Sequence, residues 1–141
     1  MAAKEYDPAV VSNPSLLFPE ESFRIKACCL KVHNELGCGF LEKVYENALS
    51  HELKKCGLWI RQQSQIDVKY DGIIVGQYVA DIVVNDQMII EIKAAEADHP
   101  VFRAQVIHYL KATGIPLGFL VNFGRKSLTF ERLVFTKDHG E

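Results

Sequence analysis

Two apolar runs, VADIVV (79–84) and MIIEIKA (88–94), carry Asp81, Glu91 and Lys93 where a buried strand would hold only hydrocarbon. Ionisable groups are costly to bury without partners, so their presence asks for a reason. Side chains alternate along a strand, which puts Glu91 and Lys93 on one face and Ile92 on the other. Whether Asp81 joins them depends on the turn at Asn85-Asp86. A two-residue loop pairs Val84 with Gln87 and sends Asp81 and Glu91 to opposite faces. A three-residue loop pairs Val84 with Met88 and sets Asp81 directly across from Glu91. One residue of slip flips a whole face. Only the convergent register gives the two acids a shared purpose, so an odd loop or a bulge is expected at this turn.

Two carboxylates side by side repel, and burial raises the cost of ionising both. A divalent cation removes that conflict. Asp and Glu oxygens suit Mg²⁺ or Mn²⁺, which are held by one or two carboxylates and keep water and phosphate oxygens in their other positions. A lysine on the same face can orient an attacking water or stabilise charge developing on a phosphate. Asp81, Glu91 and Lys93 thus form a compact set for phosphodiester hydrolysis. The plainer alternative is that Glu-x-Lys is a solubility device on an edge strand and that Asp81 only bonds nearby backbone.

The elements that must position these residues follow from periodicity and punctuation. Pro19 with Glu20 and Glu21 marks a helix start, acids at the positive end of the dipole. Phe23, Ala27, Leu30 and Asn34 recur at helical spacing, and Gly37-Cys38-Gly39 stops the helix. A second helix is expected from about Phe40 to Lys55, with Leu41, Val44, Tyr45, Ala48, Leu49 and Leu53 as its apolar stripe. From Trp59 the period becomes two, with Ile60, Gln62, Ser64, Ile66, Val68 and Tyr70 on one parity. Asp71-Gly72 is a hairpin turn; 73–84 returns as a strand, bent near Gly76; 88–94 is a third strand. His99-Pro100 opens a helix that Gly114-Ile115-Pro116 closes, and 117–123 and 127–135 finish as strands. This order predicts an α/β domain with a mixed sheet.

At 141 residues the chain is long enough for one domain, with 1–18 expected as a loose N-terminal arm and 19–137 as the domain. Hydrophobic residues at 48% and charged residues at 24% exclude wholesale disorder. The net charge of −2 lacks the positive excess of most nucleic-acid binders, so phosphate contact would need clustered cations or a metal. Lys43, Arg103, Lys111, Arg125 and Lys126 are the candidates. Cys28, Cys29, Cys38 and Cys56 form no C-x-x-C pair and are expected to be reduced, mostly packing residues, which points to a cytoplasmic protein. No apolar run reaches the length of a membrane span, so no membrane partner is expected. His33, His51, His99, His108 and His139 show no ligand spacing, and His108 is not expected to be catalytic.

Further blocks extend the pattern. Residues 37–49 read GCGFLEKVYENAL, with Gly39, Glu42 and Tyr45 spaced G-x-x-E-x-x-Y, and 104–111 read AQVIHYLK, with Gln105 and Tyr109 one turn apart. With VADIVV, EIK and the ending GFLVNFG, the sequence resembles the GxxExxY proteins, a branch of the PD-(D/E)xK nuclease superfamily, over about residues 22–135. The resemblance implies a restriction-endonuclease-like core, a mixed central β-sheet flanked by helices. It implies Asp81 and Glu91 as metal ligands for Mg²⁺ or Mn²⁺, Lys93 as the catalytic lysine, and Glu42 as an additional acid reaching the metal through water. Gln105 and Tyr109 would line the site. Ala80 stands where the name-giving proline would be. Taken alone, Tyr45 reads as a packing residue whose hydroxyl finds a partner, and Gly37 and Gly39 as shaping a turn.

Two functions are compatible with these features. One is a metal-dependent nuclease acting on DNA in preference to RNA, with a homodimer as one way of doubling a basic rim. The other is a catalytically silent module that keeps the nuclease fold and binds nucleic acid or protein within a complex. The complete set of Glu42, Asp81, Glu91 and Lys93 favours the first.

Overall fold

The computed structural model describes residues 17–136. Its elements run in the expected order: α1 (Pro19–Leu36), α2 (Glu42–Lys55), β1 (Ile60–Tyr70), β2 (Ile73–Val84), β3 (Met88–Lys93), α3 (Pro100–Thr113), β4 (Leu117–Asn122) and β5 (Thr129–Val134). The five strands form one sheet in sequence order, β1-β2-β3-β4-β5. Only the β3–β4 pair is parallel, and α3 makes its crossover, as a parallel connection requires. The sheet is therefore mixed, with helices on both sides. The expected N-terminal arm lies almost wholly outside the described residues. Its last two residues belong to the domain: Leu17 is buried, its carbonyl accepts a bond from Arg132, and Phe18 packs on the core.

One core lies between the sheet and α1 with α2, built from Ile25, Val32, Leu49, Leu53, Ile82, Val84, Ile90, Ile92, Phe119 and Val121 among others. The second lies under α3, from Ile66, Ala80, Val83, Ile89, Val106, Tyr109, Leu110, Leu120 and Leu133. β3 and β4, flanked by strands and covered on both faces, are almost entirely buried, which explains their unbroken apolar runs. Gly118 of β4 makes room for α3, since a Cβ there would stand 2.7 Å from Val106 Cγ1.

The α1 stripe named from spacing is the outer face. Phe23 is 74% exposed and Leu30 41%, whereas Ile25, Cys28, Cys29, Val32 and His33 point inward. Both sets repeat at helical spacing, so periodicity alone does not choose between them, and the small Cys28 and Cys29 allow α1 to pack closely. In α2 the stripe is half right: Tyr45, Leu49 and Leu53 are buried, but Leu41 is 80% exposed. Its inner face instead includes Glu46 and Ser50.

β1 does not keep one parity to its end. Ile60 packs on the α2 side, while Ile66, an even number of residues later, lies under α3. The reversal falls at Gln63, whose φ of +52° is left-handed. In β2, Ile82 and Ala80 likewise belong to opposite cores, so both strands roll between the Gln62–Ile82 and Ser64–Ala80 pairs, at the level of Gln63 and Asp81. A second irregularity follows the predicted bend. Val68 pairs with Gly76 but Lys69 with Ile74, which leaves Val75 as an extra residue.

Candidate active site at the fork between β2 and β3

The turn after β2 decides the geometry. Asn85 and Asp86 both have positive φ, and Gln87 N donates to Val84 O at 3.0 Å, closing a tight turn. Gln87 is then one residue too many, and Val84 pairs with Met88. The odd register expected from the sequence is the one adopted. Val83 pairs with Ile89 and Ile82 with Ile90, which sets Asp81 against Glu91.

At that point the backbone ladder between β2 and β3 ends, and the two carboxylates take over its bonds. Ile92 N donates to Asp81 Oδ2 at 2.7 Å, and Asp81 N donates to Glu91 Oε1 at 3.3 Å. The strands fork here, and each acid caps an amide that the fork would leave unpaired. The cost appears in Glu91, which is 3% exposed. Burial, then the Asp81 charge, pushes its carboxyl up to about 9, with Lys93 partly opposing. A cation between the acids would relieve this conflict.

Lys93 leaves β3 on the Glu91 face, its Nζ 5.0 Å from the centre of the Phe102 ring. Phe123 N donates to Lys93 O at 2.8 Å, and the chain that follows is fastened to β4 by Asn122. Fully buried Asn122 accepts from Ala95 N and Gly124 N through Oδ1 at 3.0 and 2.9 Å, and donates through Nδ2 to Asp98 at 3.0 Å. Gly124 allows this approach, since a Cβ there would sit 2.4 Å from Ala95 backbone.

Glu42 begins α2, and the motif's other members put it there. Gly39 takes a φ of +116°, open to glycine. Tyr45 turns inward, stacks on Phe123 at 4.8 Å, donates its hydroxyl to Gly37 O at 2.6 Å and accepts from Phe40 N at 3.2 Å. Tyr45 is thus the structural pin expected of it. Burial raises the Glu42 carboxyl; Lys93 opposes that shift and the Asp81 charge adds to it, so all three share one electrostatic site. Among the described residues, however, no three His, Cys, Asp or Glu side chains form a group able to hold a metal. The two carboxylates that meet at the fork are Asp81 and Glu91. Two hard carboxylates fit Mg²⁺ or Mn²⁺, which fill their remaining positions with water or phosphate oxygens.

From α3, Gln105 Nε2 donates to the Tyr109 hydroxyl at 2.8 Å. Burial and then the Glu91 charge raise the Tyr109 phenol, so this pair borders the acids. A groove of roughly 1260 Å³ runs between β1 and α3, with Lys93, Gln105 and Tyr109 in its wall, joined by Arg61, Lys69 and Lys111. The rim proposed from sequence is less free than expected. Lys43 pairs with Glu46, Arg103 with Glu131 and Arg125 with Asp98. Of those candidates only Lys111 lines the groove, while Lys126 lies exposed in the turn after β4. His108 also faces the groove, with no carboxylate partner among the ion pairs of the described residues.

Sequence reasoning missed Glu46, Gln62 and Gln63. Glu46 is 3% exposed and accepts from Lys43 Nζ at 3.1 Å, Gln62 Nε2 at 2.7 Å and Gln63 Nε2 at 2.6 Å. The one signal was its place on α2, four residues after Glu42 and so on the same helical face.

Comparison with known proteins agrees with this architecture. The crystal structure of SSO0001 superposes with a TM-score of 0.54 at 16% identity, covering 70% of this chain and 52% of that one. The chain therefore spans about half of that protein, and the likeness is one of fold: a restriction-endonuclease-like core. No curated protein matches the sequence. The family model described as the PD-(D/E)XK nuclease superfamily matches residues 19–133, from the first residue of α1 almost to the end of β5. By the extent of that match, the chain belongs to the PD-(D/E)XK nuclease superfamily.

Proposed function

We propose that the protein is a metal-dependent nuclease of the GxxExxY branch, hydrolysing phosphodiester bonds in DNA in preference to RNA. The observation that carries the reading is the fork, where Asp81 and Glu91 meet across two strands with Lys93 one pleat away on the Glu91 face. Asp81 and Glu91 hold Mg²⁺ or Mn²⁺, and Glu42 adds an acid that reaches the cation through water. The bound cation supplies Lewis acidity and neutralises phosphoryl charge. Lys93 orients the attacking water and stabilises the charge that grows on the phosphate. The bond between Gln105 and Tyr109 fixes the phenol beside Glu91, where it bounds the space for the scissile group. Lys69 and Lys111 along the groove meet neighbouring phosphates. A homodimer, presenting two sites to the two strands of a duplex, belongs to the same reading and is checked by sedimentation.

One observation favours the silent nuclease-fold module: Lys43, Arg103 and Arg125 of the expected rim are already paired with carboxylates. Cleavage separates the two. Single-stranded, duplex and branched DNA and RNA are incubated with Mg²⁺ or Mn²⁺ and either the parent or Lys93→Ala. The nuclease reading expects cutting by the parent and a loss of at least about 100-fold in the variant. Equal cutting, or none, gives the binding module precedence.

A further inference from the structure

The roll in β1 has a visible cause. Neighbouring residues of a strand point to opposite faces, so Gln62 and Gln63 should not reach one partner. They do: both side-chain amides bond Glu46, at 2.7 Å to Oε2 and 2.6 Å to Oε1. The left-handed backbone of Gln63 makes this possible, and it is the only described non-glycine residue with such a φ inside a strand. A non-glycine residue held there is strained, and such strain persists only where the surroundings impose it. The buried Glu46 carboxylate, with Lys43 as its charge partner, is what imposes it. Gln63 falls between the Gln62–Ile82 and Ser64–Ala80 pairs, at the level of Asp81, and its amide comes within 3.4 Å of Asp81 Oδ1. The roll therefore falls where β2 must present Asp81 to β3.

We propose that Glu46 is a positioning residue: by clamping Gln62 and Gln63 it holds the roll of β1 and β2 that sets the Asp81 carboxylate against Ile92 and Glu91. Glu46 does not touch the metal or the scissile phosphate. Its role in catalysis rests on the nuclease reading; its control of Asp81 does not. The same carboxylate sits one turn after Glu42 in α2, so the clamp also fixes the helix carrying the third acid relative to the strands carrying the first two.

Gln63→Gly separates the clamp from simple stability. Glycine accepts the left-handed φ without penalty, so the fold is kept while the amide is removed. Glu46→Ala removes the clamp itself, and Glu46→Gln keeps one acceptor oxygen and is the conservative rescue. The primary readout is hydrogen exchange of the Ile92 amide in metal-free protein, because that amide is bonded to Asp81 Oδ2. The expected result is at least tenfold faster exchange at Ile92 in Gln63→Gly and Glu46→Ala, with the amides of 88–90 unchanged and Glu46→Gln in between. Mn²⁺ titration by calorimetry should show affinity weakened about tenfold in the same order. In cleavage, kcat falls while KM for nucleic acid holds. Unchanged exchange at Ile92 in folded Gln63→Gly overturns the clamp whatever the cleavage assay gives. Fast exchange at Ile92 in a protein whose parent neither binds metal nor cuts supports the clamp and removes the nuclease reading.

Discussion

Glu91 shows most directly what the meeting of the two acids costs in stability. Its carboxyl is raised from 4.5 to about 9 by burial first and by Asp81 next. The native state thus holds a proton that the unfolded chain releases. The stability this provides is complete below about 4.5 and is lost as pH rises through about 9. Glu91→Gln removes the ionisation, keeps an oxygen to accept from Asp81 N, and adds a donor facing the Asp81 carboxylate. In metal-free buffer the variant should be more stable than the parent by up to roughly 5 kcal/mol at pH 8, with the difference vanishing towards pH 4.5. Thermal unfolding with a chelator present checks this, and a variant less stable at every pH would refute it. Tyr45 is the contrasting case. Buried fully, stacked and doubly hydrogen-bonded, it spends its hydroxyl on the α1–α2 connection rather than on chemistry.

At the scale of elements, the acids and the lysine depend on how strand ends are fastened. The connection from Lys93 to α3 has no regular hydrogen-bonding partner of its own, and Asn122 and Asp98 supply one. The Asn122 amide, then Thr129 and Arg125, hold the Asp98 carboxyl below its usual range. A depressed acid contributes stability that is present above its unfolded value of 3.8 and lost as pH falls through the lower folded value. Asp98→Asn should therefore lower Tm near neutral pH by a few degrees and narrow its gap to the parent below pH 3.8, which calorimetry across pH measures. The effect is modest because Asp98 is largely solvated. The roll at Gln63 is the other element-scale device. Alternation along β1 assigns one face to Ile60 through Ile66, and one left-handed residue overrides it.

Across the whole molecule, the groove between β1 and α3 carries a short basic track of Lys69, Lys93 and Lys111, with Arg61 beside them paired to Asp86. With a net charge of −2, the chain offers little long-range attraction for nucleic acid, so on the nuclease reading local phosphate contacts carry the affinity. Lys69→Ala with Lys111→Ala should weaken binding to all sequences alike and flatten the slope of log K against log salt by about 1.5. Fluorescence anisotropy over a salt series decides it, and an unchanged slope would move the substrate track elsewhere. None of the described helices is long and apolar enough to cross a membrane.

The order of helices and strands was legible in the sequence because it rests on local rules, whereas the register at 85–87 stood open between two loops and was chosen for the shared purpose it gives Asp81 and Glu91. Period, punctuating Gly and Pro, and the parity of a strand are written in neighbouring residues. The Gly39, Glu42 and Tyr45 spacing was legible for the same reason. What tertiary structure alone decided was which of two periodic faces of α1 turns inward, which rim cations are consumed by carboxylates, and that Glu46 is a buried clamp. Each depends on partners far along the chain, with Gln62 and Gln63 16 and 17 residues from Glu46, and Asp98 27 residues from Arg125. Burial and pairing are properties of packed surfaces, and a one-dimensional pattern holds no record of which surfaces meet.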